Sequence, residues 1–448
     1  MRILLISPEY NAHIIAPHLG LGYLASSLIK NGHSVTVLDG VREKIKYDPN
    51  DFDYAGFSAM TTYFPEMVVE VKKAKRYGLT TIIGGAHVTA DPINSLIQSG
   101  ADFACVGEGE ILVNELVSGI NPDRINGLVR WSNGIAVQNQ HNFSGNIDDF
   151  GQPAWNLIDP RTYPPAPHGM IARDFPLAPI ITTRGCPYPC TYCSAPISAG
   201  KKMRYRDPYA VVEEIELLVK EYGVKEIQIE DDNFTINQDH VEKICNLLIE
   251  KNISIIWSLP NGVRIDRLNM ALLKLMKKSG CYLMALGIET ANQRILDLIK
   301  KKLKKNIVRE TVEMVKKAGI EAWGFFMIGF PSETKEEIQK TIEFALSLPL
   351  DRVQFTKTTP LPGTEIYELW KKNYSDGLDV NWAEFNYYSF DANWSNISSA
   401  EISKFQKKGH LRFYLKPVNF VKVISRLRLT QYKFLIKRLF NLMFKPSD

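Results

Sequence analysis

Three cysteines, Cys186, Cys190 and Cys193, crowd together in a chain of 448 residues whose other cysteines, Cys105, Cys245 and Cys281, are scattered. A disulfide framework would not be spaced this way, whereas thiolates gathered for a metal would. Zinc sites usually close with four ligands, often as two spaced pairs, and no second cysteine pair or suitably spaced histidine pair follows. A structural zinc knuckle is the bland reading. The sharper one is a [4Fe-4S] cluster, with three irons held by the trio and the fourth left open to another ligand. The trio sits in Thr183-Arg184-Gly185-Cys186-Pro187-Tyr188-Pro189-Cys190-Thr191-Tyr192-Cys193-Ser194, directly after an apolar run. Active-site loops of strand–helix proteins begin at such strand ends.

Around this loop, residues 180–375 alternate strand and helix patterns. Strands are expected at Ile180–Thr183, Glu226–Glu230, Ser254–Ser258, Leu283–Ile288, Ala322–Ile328 and Arg352–Thr356. Six units in tandem predict a partial (β/α)6 barrel working at the carboxyl ends of its strands. Residues 1–145 show the same alternation, with strands expected at Ile3–Ser7, Ser34–Leu38, Tyr54–Ser58, Thr81–Ile83 and Phe103–Val106. Their unbroken apolar runs predict an α/β, doubly wound, Rossmann-like parallel sheet covered on both faces. Residues 146–179 hold seven prolines and read as a linker; residues 376–448 read as a basic helical extension.

The composition, 45% hydrophobic and 23% charged with a net charge of +5, is that of a soluble globular protein. No signal peptide opens the chain and no run of 18 apolar residues occurs, so a cytoplasmic enzyme is expected. No nucleic-acid motif accompanies the modest charge.

The pattern C-x-x-x-C-x-aromatic-C, with Tyr192 as the aromatic, resembles the signature of the radical SAM superfamily. That resemblance implies S-adenosylmethionine (SAM) chelated at the open iron, an electron from a reductant such as flavodoxin or ferredoxin, and a deoxyadenosyl radical made in a dry pocket. Downstream segments resemble the family's SAM contacts: Glu230, Asp231 and Asp232 after the second strand, Asn261 and Arg264 after the third, Glu289 after the fourth and Gly329 on the fifth. Arg264 is expected to meet the SAM carboxylate, and Glu289 the ribose or the amino group. Acidic residues here also suit helix N-caps, and Glu333-Thr334 reads as the start of the next helix.

The first domain resembles the cobalamin-binding domain joined to many radical SAM enzymes. The matching pieces are Ser58 and Thr61 after the third strand, Gly84, Gly85 and His87 after the fourth, and Gly107 and Glu108 after the fifth. The resemblance implies cobalamin bound between sheet and helices, while a glycine pair is also simply what a tight turn needs. The D-x-H-x-x-G motif of many cobalamin proteins is broken: Asn11 and Ala16 replace its Asp and Gly, leaving His13 alone. A ligating His normally needs a second group to orient it, so His13 is not expected on cobalt. Only Cys105 lies upstream of the trio, which argues against a second cluster.

Together these features resemble class B radical SAM methyltransferases. The implied activity is methylation of an unactivated carbon of a small-molecule or lipid-like substrate; the alternative is a cyclase, oxidase or rearrangement enzyme of the same architecture, and a non-catalytic sensor is the reading from outside enzymology. From Leu411 to Asp448 the chain carries nine Lys or Arg and one acidic residue among Phe, Leu, Ile and Val. This tail reads as helices packed on the barrel, or as a peripheral contact with an anionic membrane.

Overall fold

The computed structural model describes residues 1–10, 15–143, 145–165, 172–374, 380–388, 390 and 397–426. Its first sheet comprises β1 (Arg2–Ser7), β2 (Ser34–Asp39), β3 (Tyr54–Ser58), β4 (Thr80–Gly84), β5 (Phe103–Cys105), β6 (Leu128–Ser132) and β7 (Ile135–Gln138), in the order β2-β1-β3-β4-β5-β6-β7. The first five are parallel. Along β1, Ile3 and Leu5 join one core with Leu21 and Leu28, while Leu4 and Ile6 join another with Phe64, Met67 and Val71. Burial on both faces is why this strand has no polar alternation. The strand order reverses between β1 and β3, which opens a crevice beyond their carboxyl ends.

Strands β6 and β7 were not expected. They form an antiparallel hairpin turned by Asn133 (φ 50°) and Gly134 (φ 77°), the two left-handed residues that an Asn-Gly turn supplies.

The second sheet comprises β8 (Leu177–Ile180), β11 (Glu226–Ile229), β12 (Ile256–Val263), β13 (Cys281–Glu289), β14 (Glu321–Ile328) and β15 (Arg352–Lys357), all parallel, in the order β15-β14-β13-β12-β11-β8. This is the expected partial barrel, with two corrections. Strand β12 runs on to Val263 and so contains Asn261, expected to follow it. The barrel's first strand starts three residues earlier than expected, inside the stretch read as linker. Pro179 fits within it because β8 is an edge strand, where a missing N–H breaks no ladder. The chain then leaves the sheet as β9 (Thr183–Arg184), which pairs antiparallel with β10 (Arg204–Tyr205).

Residues 146–165 are built into the seam between the domains. Ile147, Phe150, Trp155 and Ile158 are buried in one apolar cluster with Leu21 and Leu28 of the first domain and Val211 and Ile215 of the second. Trp155 Nε1 donates to Glu214 Oε1 at 3.1 Å. A Cβ on Gly22 would stand 2.5 Å from Ile158 Cδ1, so glycine there sets how closely the seam packs.

In the extension, a short turn at Trp382–Glu384 precedes the helix Ser399–Tyr414, which is opened by a capping box between Ser398 and Glu401. Gln406, His410 and Tyr414, four residues apart, share one face. Gln406 Nε2 donates to the Phe355 carbonyl at 2.8 Å, the Phe355 N–H donates to His410 Nε2 at 3.1 Å, and Tyr414 Oη donates to the Val353 carbonyl at 2.8 Å. Three side chains thus satisfy the open edge of β15. The helix Pro417–Arg426 follows, and the remainder of the basic tail lies outside the described residues. Among the described residues no helix is long and apolar enough to cross a membrane.

Candidate functional site

The cysteine loop is closed at its base by the β9–β10 hairpin. Gly185 has φ +99°, and a Cβ on it would stand 2.4 Å from the Lys202 carbonyl oxygen, so only glycine fits. The Cys186 N–H donates to the Gly200 carbonyl at 3.0 Å and the Thr191 N–H to the Ile299 carbonyl at 3.1 Å. Beneath the hairpin, Asp231 accepts from both the backbone N–H and the hydroxyl of Thr182 and of Thr183, at 2.5–3.0 Å. All four acceptor sites of that carboxylate are occupied. Asp231, expected to contact SAM, is therefore the buried bolt of the loop; burial raises its carboxyl to about 6 against the pull of those four bonds.

Its neighbour Asp232 points the other way. It is exposed, yet protein stands densely around it, and its charge reaches both Cys186 and Cys193. A side chain that is solvent-accessible and enclosed at once lines a cleft. Tyr387, from the extension, has the same character and is within electrostatic range of Cys193. Cleft walls therefore come from both the barrel and the extension.

The three thiols affect one another: burial, with the charges of Asp232, Cys190 and Cys186, pushes Cys193 up to about 12. Among the described residues no three His, Cys, Asp or Glu side chains converge closely enough for a single metal ion. Three thiols within electrostatic reach of one another are the donor set a polynuclear group takes. Asn233 supports that fit: it is buried, its Nδ2 lies 4.0 Å from Cys186 Sγ, and its Oδ1 has no partner. N–H groups aimed at cluster sulfurs are one of the ways a protein sets cluster potential.

Glu289 ends β13 in a left-handed conformation (φ 64°), which costs a non-glycine residue about 1–2 kcal/mol. Its Oε1 receives Lys301 Nζ at 2.6 Å, and Lys301 also lies 3.2 Å from Tyr192 Oη. A Cβ on Gly287 would stand 2.9 Å from Glu289 Oε1 and 3.0 Å from Lys301 Nζ, so glycine makes room for the pair. Sequence reasoning missed Lys301: a run of lysines gives no sign that one turns inward to meet Glu289 and Tyr192. Arg264 is committed elsewhere than expected: its guanidinium pairs with Asp266 at 2.9–3.0 Å, donates to the Lys301 carbonyl at 2.9 Å and stacks 3.7 Å above Tyr188. Asn261 is exposed and donates to the Glu230 carbonyl at 2.8 Å. The Gly329 N–H (φ +82°) donates to buried Glu333 at 2.7 Å. Burial raises the Glu333 carboxyl to about 8, and its Oε1 has no partner.

In the first domain, Ser58 and Gly84 end neighbouring strands and stay partly exposed beside the crevice, while a Cβ on Gly85 (φ +98°) would strike the Ala59 carbonyl oxygen at 2.6 Å. Ser58 and Gly84 leave that side of the sheet accessible to a bulky ligand, and Gly85 makes the tight turn beside them. Thr61 and His87 are turned inward. His87 lies between Phe64 and Trp382, with ring centroids 4.1 and 4.6 Å away, 3.3 Å from Thr61 Oγ1, and burial lowers it to about 3. It is a neutral core residue. Gly107 is closed off by His141, to which a Cβ would come within 2.5 Å. Glu108 holds Arg184 at 2.8 Å and Arg204 at 2.7 Å, and Glu110 holds Arg184 at 2.8 Å. Gly107 and Glu108, expected as cobalamin contacts, are engaged in packing and in an ionic clamp between the first domain and the hairpin that leads into Cys186. Asn11 and His13 lie outside the described residues.

The Radical SAM superfamily model matches residues 180–345, and the B12 binding domain model matches residues 10–117. An uncharacterized methyltransferase of Pyrococcus horikoshii is 33% identical, over 98% of this chain and 97% of its own length. The anaerobic magnesium-protoporphyrin IX monomethyl ester cyclase of Rubrivivax gelatinosus is 28% identical, over 82% of this chain and 70% of its own. Among solved structures, the radical S-adenosylmethionine methyltransferase TsrM of Kitasatospora setae, with cobalamin and a [4Fe-4S] cluster bound, superposes with TM-score 0.69 at 17% identity, covering 96% of this chain and 92% of its own. At that identity the superposition speaks for the fold.

Proposed function

The chain belongs to the radical SAM superfamily, joined to a B12-binding domain, and from that premise we propose that this enzyme is a cobalamin-dependent methyltransferase acting on an unactivated carbon. One observation carries the reading: helix Ala86–Ala90, which follows the Gly84-Gly85 turn, packs against helix Ala195–Ser198, which follows Cys193. That contact brings the stretch after Cys193 beside the Gly84-Gly85 turn, and a transfer between two bound cofactors needs such proximity. The methyltransferase among its relatives supports the same reading over nearly the full chain.

When bound, the cluster with SAM supplies a substrate radical and cobalamin supplies the methyl group. Cys186, Cys190 and Cys193 would hold the cluster, and Asn233 would donate to the Cys186 sulfur. Tyr192, Glu230, Asp232, Asn261 and Gly329 would line the SAM pocket, with the Glu289–Lys301 pair fixing Tyr192. Ser58, Gly84 and Gly85 would seat the cobalamin tail. Tyr387 and Asp232 wall the cleft that would exclude bulk water.

Anaerobically reconstituted protein, given methyl-labelled SAM and a substrate pool, is expected to release both deoxyadenosine and S-adenosylhomocysteine and to leave label in a product. Deoxyadenosine alone, with no label transferred, removes methylation. It would favour the second reading, radical cyclisation or oxidation, which the cyclase among the relatives motivates.

A further inference from the structure

The segment after helix Gln293–Leu298 reads Lys300-Lys301-Lys302-Leu303-Lys304-Lys305. Its burial alternates: Lys301 and Leu303 are buried, whereas Lys300, Lys302, Lys304 and Lys305 are exposed. Lys300 pairs with Glu365 at 2.6 Å. Lys302, Lys304 and Lys305 have no carboxylate partner among the described residues, and they rim an open depression of about 620 Å³ shared with Gln293, Asp297 and Asn306. Lys300 and Lys302 both adopt left-handed backbone (φ 54° and 53°). Left-handed non-glycine backbone and clustered like charge both cost stability, and such costs gather at functional segments.

That ribbon joins the cysteine loop. Arg264 bonds the backbone carbonyls of Lys301 and Lys302 and stacks on Tyr188, and Arg267 donates to Tyr188 Oη at 3.2 Å. Tyr188 lies between the exposed Pro187 and Pro189, the residues that adjoin Cys186 and Cys190 in the chain. On its other sides the loop is occupied by the Arg184–Glu108 clamp and by the backbone of Ile299 and Ile366. The exposed side of the cysteine loop is thus the one that adjoins the unpaired cations. Two carboxylates, Asp266 and Asp297, lie nearby, and Asp266 is already neutralised by Arg264.

We propose that this face, made of Pro187-Tyr188-Pro189, Arg267 and the Lys302, Lys304 and Lys305 side chains, is the docking surface for an acidic, low-potential electron-transfer protein. The proposal rests on the cluster reading above. The partner gives one electron to the cluster and leaves one electron more oxidised. Docking here puts its redox group beside the cysteine loop, while the lysines steer the encounter by complementary charge. Lys301 faces inward and takes no part in the steering.

The test uses the reconstituted holoenzyme and the triple variant Lys302→Glu/Lys304→Glu/Lys305→Glu. Binding of an acidic flavodoxin and an acidic ferredoxin is measured directly, and cluster reduction is followed by its visible absorbance, with dithionite as the small reductant. The expected result is binding and protein-driven reduction about tenfold or more weaker in the variant, falling with salt in the wild type and nearly flat in the variant, with dithionite reduction equal in both. Equal behaviour of the two proteins with the acidic donors, including no reduction of either, overturns the proposal, as does an equal loss with dithionite. A wild-type protein that holds no cluster, or does not cleave SAM with dithionite, fails the cluster reading instead.

Discussion

Replacing Glu108 by Gln tests whether the clamp between the domains is energetic or incidental. Glu108 Oε1 receives Arg184 Nη1 at 2.8 Å and Oε2 receives Arg204 Nη1 at 2.7 Å, with the three side chains 11%, 13% and 4% exposed. An amide can accept from only one guanidinium and turns its own NH2 toward the other. Arg184 would keep Glu110, and Arg204 would keep the Ala199 carbonyl at 2.8 Å. Removing one partner of a buried pair costs about 3–5 kcal/mol; with those two contacts retained, about 2–4 kcal/mol is expected. A double-mutant cycle with Arg204→Gln isolates the pair, read from a urea transition in which both domains unfold together. A coupling of about 1.5 kcal/mol or more is expected. A coupling below about 0.5 kcal/mol refutes the reasoning. The pH dependence adds a check. Burial raises the Glu108 carboxyl, but Arg204 and Arg184 outweigh that and hold it below its usual range. A depressed folded value means the clamp stabilises fully above the ordinary glutamate range and is lost as pH falls through the depressed one. The variant should lack that acid-side loss.

Two further outcomes follow from single groups. Burial raises Glu333 to about 8, so its ionisation opposes folding, and stability should decline between about pH 4.5 and 8 as the carboxyl is forced to charge; Glu333→Gln should fold and flatten that decline in unfolding midpoints taken across the window, and an unchanged slope contradicts the assignment. Gly185→Ala must push a Cβ into the Lys202 carbonyl at 2.4 Å in a left-handed backbone; the cysteine hairpin should distort, with iron and sulfide content falling well below the wild type while the bulk secondary structure by circular dichroism persists.

Much of the fold was legible because parallel strands buried on both faces write themselves as plain apolar runs, as in Arg2–Ser7 and Cys281–Glu289. The cysteine trio was legible because its chemistry is local. What failed was pairing at a distance. The prolines at 176 and 179 hid an edge strand, and Glu108 in a Gly-Glu-Gly-Glu run looked like a ligand loop although its partners are 76 and 96 residues away. Asp231 and Asp232 are indistinguishable in sequence, yet one bolts the loop and the other lines the cleft. The Asn133-Gly134 turn was a readable signal that went unused.

The edge of β15 is finished only when Gln406, His410 and Tyr414 arrive. At ordinary synthesis rates the segment from Lys357 to Tyr414 takes roughly 3–11 s to emerge, and for that interval the nascent barrel presents a strand rim of bare donors and acceptors. Neighbouring chains on one messenger are then each other's nearest partners. A stop codon before residue 399 would make that transient rim permanent.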